Sequence, residues 1–510
     1  MQYNCTTMQK LKSELVLVGM AWLSILVVAC QIRVTRLRPQ LLIDENWHLY
    51  PAASADLAEF VAAVSEHVHP PLAYLYGACS NALFGVGPIQ SRILAMFLGM
   101  VLLPVVGHIV YKLTREIWSA TFAATFVAIA PGFVEVATEA RAYGMGLLAM
   151  CAWLLSMINL QDHFRSTAAH ILCSSLAVFA VMFNYGVFPA IFAGYVATAI
   201  FSRSLVRNHT SNFSFKIGII HSLGILISAA FILIHVRSAN IELGHVGPFM
   251  YQGDYSLVSV AKYFVMAHFH LLGFYFKKSA MGIMLVGLVL CVVKIVRSRD
   301  RLRGCSLIFA AAVVADLLCW GLSVIQTFPY APSRHGVFLQ LYLAAAIGIG
   351  WGSVRNLVGR PEAAMAAVFA MLILGATAWQ LPVVTLKDDF PFSQVLDRLK
   401  NSGEAVIVES NIVAGLFHKF YTGESVKFFT QEPEPFLYRG IKFYRLGKDT
   451  ETSVRSCLSV EKVCWLVDLA NAKQGKNQNS FASGLLSDAD VFEGAYEWLK
   501  LRARSFSIAK

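Results

Sequence analysis

Charge is scarce in this sequence. Only 14% of its 510 residues are Asp, Glu, Lys or Arg, against 57% hydrophobic. A soluble globular chain carries roughly a quarter charged residues, so an ordinary soluble domain is excluded. Acids are scarcer than bases, 31 against 42, which leaves a formal net charge of +11. That excess does not mark a nucleic-acid binder, because no basic stripe with interleaved aromatics occurs in a polar region. A Walker loop is lacking, as is a GxGxxG on a strand–helix turn, which excludes the common nucleotide pockets. No small-residue cleavage pattern follows the first apolar run, although Lys10 and Lys12 precede it. That run is expected to stay as an uncleaved helix. Internal repeats and low-complexity segments are absent too. Of ten cysteines most lie inside apolar runs, as inert packing residues.

What the chain does have is apolar runs near the roughly 20 residues needed to cross a bilayer. They fall near 14–31, 89–111, 117–133, 140–158, 168–184, 186–202, 216–236, 279–297, 304–327, 335–354 and 363–384. The expectation is a polytopic α-helical membrane protein with about eleven transmembrane helices. The apolar stretch 72–84 is too short to span, and lies along the membrane surface or re-enters. Cations alternate with the runs. Lys112 and Arg115, then Arg165, then Arg203, Arg207 and Lys216, then Arg297, Arg299, Arg301 and Arg303, then Arg355 and Arg360 share one side with the N-terminus. The positive-inside rule makes that side cytoplasmic. Residues 1–384 then form a transmembrane domain with outward loops at 32–88 and 237–278. Arg33, Arg36 and Arg38 dissent from this pattern.

From 385 to 510 the character changes. "EAVIVES" reads as a strand, "NIVAGLFHKFY" as a helix, and "SVKFFT" and "KVCWLVDL" as further strands. Strands alternating with a helix predict a small C-terminal α/β domain on the outward, periplasmic side. There Cys457 and Cys464 either form a disulfide or remain thiols, since spacing alone does not settle geometry.

The chemistry-bearing residues lie in the outward segments. "LLIDENWHLYP" sets Asp44 beside Glu45 just past the first span. One of Asp44 and Asn46 can cap a helix over 47–66, whose apolar residues Leu49, Ala53, Leu57, Phe60, Val61 and Val64 recur at helical spacing. Capping leaves Glu45 unexplained, and acids beside a bilayer are functional candidates by default. "EHVHPPLAYLYG" carries His69 against Pro70 and Pro71, a rigid corner that also serves as a simple turn. "APGFVEVATEARAYGMG" carries Glu135 and Glu139, four apart and so on one face if helical, followed by Arg141 and Tyr143. "FPYAPSRHGVFLQLYL" sets Arg334 and His335 at the outward end of a helix. A guanidinium there suits either a phosphate, by its bidentate fork, or a lipid headgroup. His268 and His270 form a lone HxH, a weak metal pattern.

The order of these features resembles one family: type C membrane glycosyltransferases of the protein mannosyltransferase and lipid A aminoarabinose transferase superfamily. The resemblance covers roughly 14–384 and rests mainly on Asp44-Glu45 and His69-Pro70-Pro71. It implies transfer of a sugar from a polyprenyl-phosphate donor to a glycolipid, glycan or protein acceptor on the outer face of a membrane. It implies Asp44 as the base, Glu139 with Glu135 in reserve as assistant, and Arg334 as the holder of the leaving phosphate. His69 and Glu45 would shape the site, with Arg141, Tyr143 and His335 as substrate contacts. No cofactor is implied with certainty, a divalent metal ion being the one candidate. The large luminal insert of eukaryotic protein mannosyltransferases is missing and the tail resembles compact periplasmic domains, so a bacterial inner membrane is expected. Two other classes stay open: a flippase for lipid-linked sugars, and a scaffold whose tail binds an envelope partner.

Overall fold

The computed structural model describes residues 5–37, 45, 48, 57–65, 69–85, 89–160, 166–206, 211–238, 255–297, 303–328, 330, 336–380 and, as backbone, six strands beyond 404. Each apolar run named above contains a helix. They are α1 (Cys5–Thr35), α2 (Leu57–Ser65), α3 (Pro71–Phe84), α4 (Gln90–Thr114), α5 (Ile117–Ile129), α6 (Pro131–Ala137) and α7 (Tyr143–Asn159). There follow α8 (Thr167–Phe183), α9 (Val187–Val206), α10 (Ser211–Ser238), α11 (Leu257–Arg297), α12 (Arg303–Val324), α13 (Val337–Val358) and α14 (Pro361–Gln380). Among the described residues, five helices are long and apolar enough to cross a membrane, six if α5 and α6, bent by 63°, count as one span.

The chain separates into two units, one of residues 1–37, 65–80 and 91–382, the other of 38–64, 81–90 and 383–510. One length differs from expectation. Helix α11 begins at Leu257 and runs for 41 residues, so 257–278, read as loop, is helical. Lys277 and Lys278 end the apolar run there, but lysine is a good helix former and does not end the helix. Of the helix expected over 47–66, His48 and Leu57–Ser65 are described and are helical, as is Glu45; 47, 49–56 and 66 lie outside the described residues.

In the first unit, α13 packs along α5. Gly348 and Gly352, one turn apart, make this possible. A Cβ at Gly348 would sit 2.6 Å from Ala123 Cβ, and one at Gly352 would meet Ser119 Oγ. Small residues four apart let two backbones approach closely, the usual device where apolar helices face apolar lipid.

At the end holding the start of α1, ionic contacts tie four helices. Glu14 accepts from Trp118 Nε1 (2.9 Å) and Arg355 (3.0 Å). Glu116 accepts from Ser119 Oγ (2.8 Å), Asn356 Nδ2 (3.2 Å) and the Lys294 ammonium. Lys112 donates to Asn159 Oδ1 at 2.6 Å. Lys112, Lys294 and Arg355 therefore stand at one end with the α4–α5 turn, as the alternation of cationic loops requires. Replacing Glu116 by Gln should lower stability by about 1–3 kcal/mol, between a surface pair and a buried one, because the half-buried Lys294 loses its counter-charge. Thermal inactivation in lipid nanodiscs measures this. A wild-type midpoint would make the contact incidental.

The opposite end explains two of the dissenting arginines, Arg33 and Arg36, while Arg38 lies outside the described residues. Pro131 has no N–H, so Val127 O loses its helical partner, and Ala130 is extended (ψ 129°), as the residue before proline tends to be. Arg33, fully buried, donates to Val127 O (3.2 Å) and Ala128 O (3.0 Å). Trp379 Nε1 donates to Ile129 O at 2.8 Å. Arg36 donates to Trp379 O and stacks on its ring at 4.6 Å. Three carbonyls exposed by one helix break are thus satisfied, and a cation at a helix C-terminus also suits the dipole. Arg33 and Arg36 are structural donors; their charge says little about sidedness.

The second unit contains a six-stranded mixed sheet in the order β2-β3-β1-β4-β6-β5. Its strands are β1 (Ala405–Val408), β2 (Phe436–Tyr438), β3 (Ile441–Arg445), β4 (Val463–Asn471), β5 (Val491–Ala495) and β6 (Leu499–Ser507). Strand β1 is parallel to both neighbours, Val406 lying between Phe443 and Trp465. The other pairs are antiparallel. "EAVIVES" and "KVCWLVDL" fold as strands β1 and β4, as expected. "NIVAGLFHKFY", "SVKFFT" and Cys457 lie outside the described residues, and Cys464 is described only as backbone in β4. Whether Cys457 and Cys464 are bonded or remain thiols therefore lies outside them too.

Candidate functional site

The His-Pro-Pro corner is built by its own chain. Pro71 opens α3 at the first helical position, where a missing N–H costs nothing. Ala73 N–H donates to Pro70 O at 2.9 Å, closing the first turn. Tyr74, fully buried, then reaches back: its hydroxyl accepts from His69 N–H at 3.2 Å and its ring meets the His69 ring edge-on, centroids 6.1 Å apart. His69 is half-buried and held from both backbone and ring. Burial raises the pKa of the Tyr74 phenol and Tyr185 adds to the rise. The His69 hydrogen bond and the charge of Arg141 pull it down. The corner therefore lies within electrostatic reach of the second motif.

That motif is not helical throughout. Helix α6 ends at Ala137, with Thr138 at φ −117°, ψ 9°. Thr138 Oγ1 donates to Val134 O (3.0 Å) and Glu135 O (3.1 Å), using its hydroxyl on the last carbonyls. Glu135 is on the helix and half-buried, whereas Glu139 follows its end in a buried bend. The helix stops between these acids, so the condition for their sharing one helical face is not met. Arg141 N–H donates to Glu139 O at 2.8 Å, a tight turn that also brings residues two apart together. The buried Arg141 guanidinium lies 5.0 Å from the Tyr143 ring centroid, a cation–π placement. Tyr143 in turn packs on Phe338 of α13 at 6.2 Å.

A third turn joins them. Asn184 Oδ1 accepts from Gly186 N–H at 2.9 Å, and a Cβ at Gly186 would lie 3.1 Å from Phe338. The turn between α8 and α9, the start of α13 and the start of α7 thus meet at one place, with Tyr185 within electrostatic reach of Tyr74. His69, Arg141 and Tyr143 are brought together here with Tyr74, Tyr185 and Phe338. The last three were not singled out from sequence, though Tyr74 stands one helical turn past His69 in "HPPLAYLYG", where an aromatic on a short amphipathic helix is a readable signal.

Glu45 is fully buried, with His48 three residues on and also buried, but both belong to the second unit. Asp44, Arg334 and His335 lie outside the described residues; α13 opens at Val337, just after the last two, with Gly336 as its N-cap and no side-chain cap. His268 and His270 fall within α11, their side chains outside the described ones. Among the described residues no group of three or more His, Cys, Asp or Glu side chains is placed to hold a metal ion.

No protein-family model matches the sequence, nor does any curated protein. Solved structures do. ArnT from Cupriavidus metallidurans bound to undecaprenyl phosphate aligns over 96% of this chain and 97% of its own, at TM-score 0.55 and 14% identity. The same protein in the apo state aligns over the same shares, at TM-score 0.55 and 13% identity. An Archaeoglobus fulgidus oligosaccharyltransferase, crystallised with Zn and sulfate, aligns over 93% of this chain and 72% of its own at TM-score 0.49 and 10% identity. The chain has the fold of ArnT.

Proposed function

We propose that this protein transfers a sugar from a polyprenyl-phosphate carrier to an envelope acceptor on the outer face of a bacterial inner membrane. The observation that carries the reading is the approach of two motif segments distant in the chain, His69 through Tyr74 and Arg141 with Tyr143, within an ArnT-like fold. The bound undecaprenyl phosphate of the ArnT structure supports the choice of carrier. In this proposal an acceptor oxygen attacks the anomeric carbon while its proton passes to Asp44. The bond from that carbon to the phosphate oxygen breaks, and the polyprenyl phosphate leaves with the electron pair. Arg334 meets the charge that develops on it, and Glu139, with Glu135, orients the acceptor. His69, held by Tyr74, and Glu45 shape the walls; Arg141, Tyr143 and His335 contact substrate. No step here uses a divalent ion.

The test is direct. The purified protein in lipid, given an undecaprenyl-phosphate-linked sugar and envelope glycolipids, should yield glycosylated acceptor and free undecaprenyl phosphate by mass spectrometry. The break between α5 and α6 is the one observation that favours a flippase, since broken helices mark transport sites. Movement of the lipid-linked sugar across vesicles without transfer would establish that reading instead.

The phosphate clamp has its own expected result. Arg334→Ala should lower kcat/KM for the donor about 10²–10³-fold, as loss of one charge-stabilising group does. Arg334→Lys should recover only part of it, because a point charge does not reproduce a bidentate fork. Donor-dependent kinetics of the two variants checks this, and wild-type kinetics for the lysine variant would make Arg334 a headgroup anchor.

A further inference from the structure

Gln340 lies in the opening turns of α13 and is fully buried, yet neither Nε2 nor Oε1 meets a hydrogen-bond partner. An apolar residue of that size would fill the space without stripping an amide of water. Buried amides are almost always paired, so one that is not asks for a cause. Its neighbour narrows the search. The amide lies on Gly132 of α6, so closely that a Cβ there would collide with Nε2 and Oε1. Gly132 and Glu135 are three residues apart on that helix, hence on one face. The amide therefore stands on the face of α6 that carries Glu135. Phe338, two residues earlier, packs on Tyr143, so the opening turns of α13 reach both motif segments.

We propose that the Gln340 side chain, beside Glu135, is a specificity-determining residue that reads sugar hydroxyls. This deepens the glycosyltransferase reading and rests on it. A carboxamide offers two N–H donors and an acceptor oxygen side by side. Two neighbouring ring hydroxyls match that pattern, one accepting from Nε2 and the other donating to Oε1. A phosphate does not match: it has acceptors only, and would face both Oε1 and a carboxylate. Sites that leave buried polar groups unpaired discriminate strongly against a ligand that lacks the matching hydroxyl. The hydroxyls belong either to the donor sugar or to a glycan acceptor.

The experiment compares wild type with Gln340→Leu, and with the unbranched Gln340→Met as a guard against misfolding, in lipid nanodiscs. Affinity is measured for bare undecaprenyl phosphate and for its glucose-, mannose- and N-acetylglucosamine-linked forms. Kinetics with varied acceptor glycolipid form the second arm. The variants should bind bare undecaprenyl phosphate as wild type does and melt at a higher temperature, the misfit amide being gone. They should lose about 10-fold or more either in affinity for the sugar-linked lipids or in kcat/KM for the acceptor. The arm that shows the loss names the source of the hydroxyls. Higher melting temperature with unchanged affinities and kinetics would reduce Gln340 to a packing misfit and overturn the inference alone, as would an equal loss for bare and sugar-linked lipid. A wild type that binds undecaprenyl phosphate but neither binds nor transfers any sugar-linked form would remove the glycosyltransferase reading and this inference with it.

Discussion

Asp44→Asn should leave a folded protein whose sugar transfer is slower by about 10²–10⁴-fold, the contribution of a positioned general base. Asparagine keeps the volume of the side chain and can cap a helix as well as aspartate does. It cannot take up the acceptor's proton. The loss should fall on kcat and kcat/KM together, because the interaction exists only in the transition state. Two controls sharpen the result. Melting temperature in nanodiscs should stay at the wild-type value, and Asp44→Ala should add a stability loss of about 1 kcal/mol if the residue also caps. Near-normal turnover in Asp44→Asn would leave capping as the whole account of Asp44. The base would then have to be sought elsewhere, with Glu139 in its buried bend as the next position to test.

Arg33→Met should be the most damaging change far from any proposed chemistry. Methionine matches the aliphatic stem but strands Val127 O and Ala128 O, which Arg33 now satisfies. Each orphaned buried acceptor costs about 1–3 kcal/mol, so the sum is about 2–6 kcal/mol. Surroundings without water leave no cheaper partner. Arg33→Lys should recover little, since one ammonium on a single point has to replace a fork that spans two carbonyls. The measurement is the yield of folded protein after extraction together with its melting temperature. A second variant separates the mechanism from general loss of packing: Pro131→Ala restores an N–H to the chain and should make Arg33→Met less harmful. A double variant no better than Arg33→Met alone would disconnect the arginine from the proline break.

The helical part of the fold was legible because the bilayer demands length and low polarity, and both are visible residue by residue. What misled were charges that do not stop a helix. Lys277 and Lys278 ended the apolar run but not α11. Arg33 and Arg36 read as topology signals and serve instead as hydrogen-bond donors to Val127 O, Ala128 O and Trp379 O. Their partners lie far along the chain, and no local pattern announces them. In the tail, β1 and β4 were visible as continuous apolar runs. Strand β6, with Leu499, Leu501 and Ala503 alternating with Lys500, Arg502 and Arg504, carries a period of two that charge conceals. At the site, His69 and Arg141 were visible as motifs, whereas Tyr74 and Gln340 look like ordinary members of apolar helices. Their distinction is an accepted hydrogen bond in one case and missing partners in the other, and both exist only in three dimensions.

Pro131 and Arg33 also set an order of events during synthesis. The guanidinium of Arg33 enters the membrane with the first helix, while its acceptor Ala128 is 95 residues further along the chain. At about 5–20 residues per second the ribosome needs roughly 5–19 s to make that stretch. Through that interval the arginine has no carbonyl of α5 to meet, and its long stem must hold the charge at headgroup level. Only when α5 arrives and breaks at Pro131 does the arginine gain a reason to leave water. The end of α1 is therefore expected to be accessible to water-borne thiol reagents, through a cysteine placed at Gln31, in ribosome-bound chains shorter than about 130 residues plus the tunnel length. In longer chains it should be shielded. The fifth helix thereby completes the seating of the first.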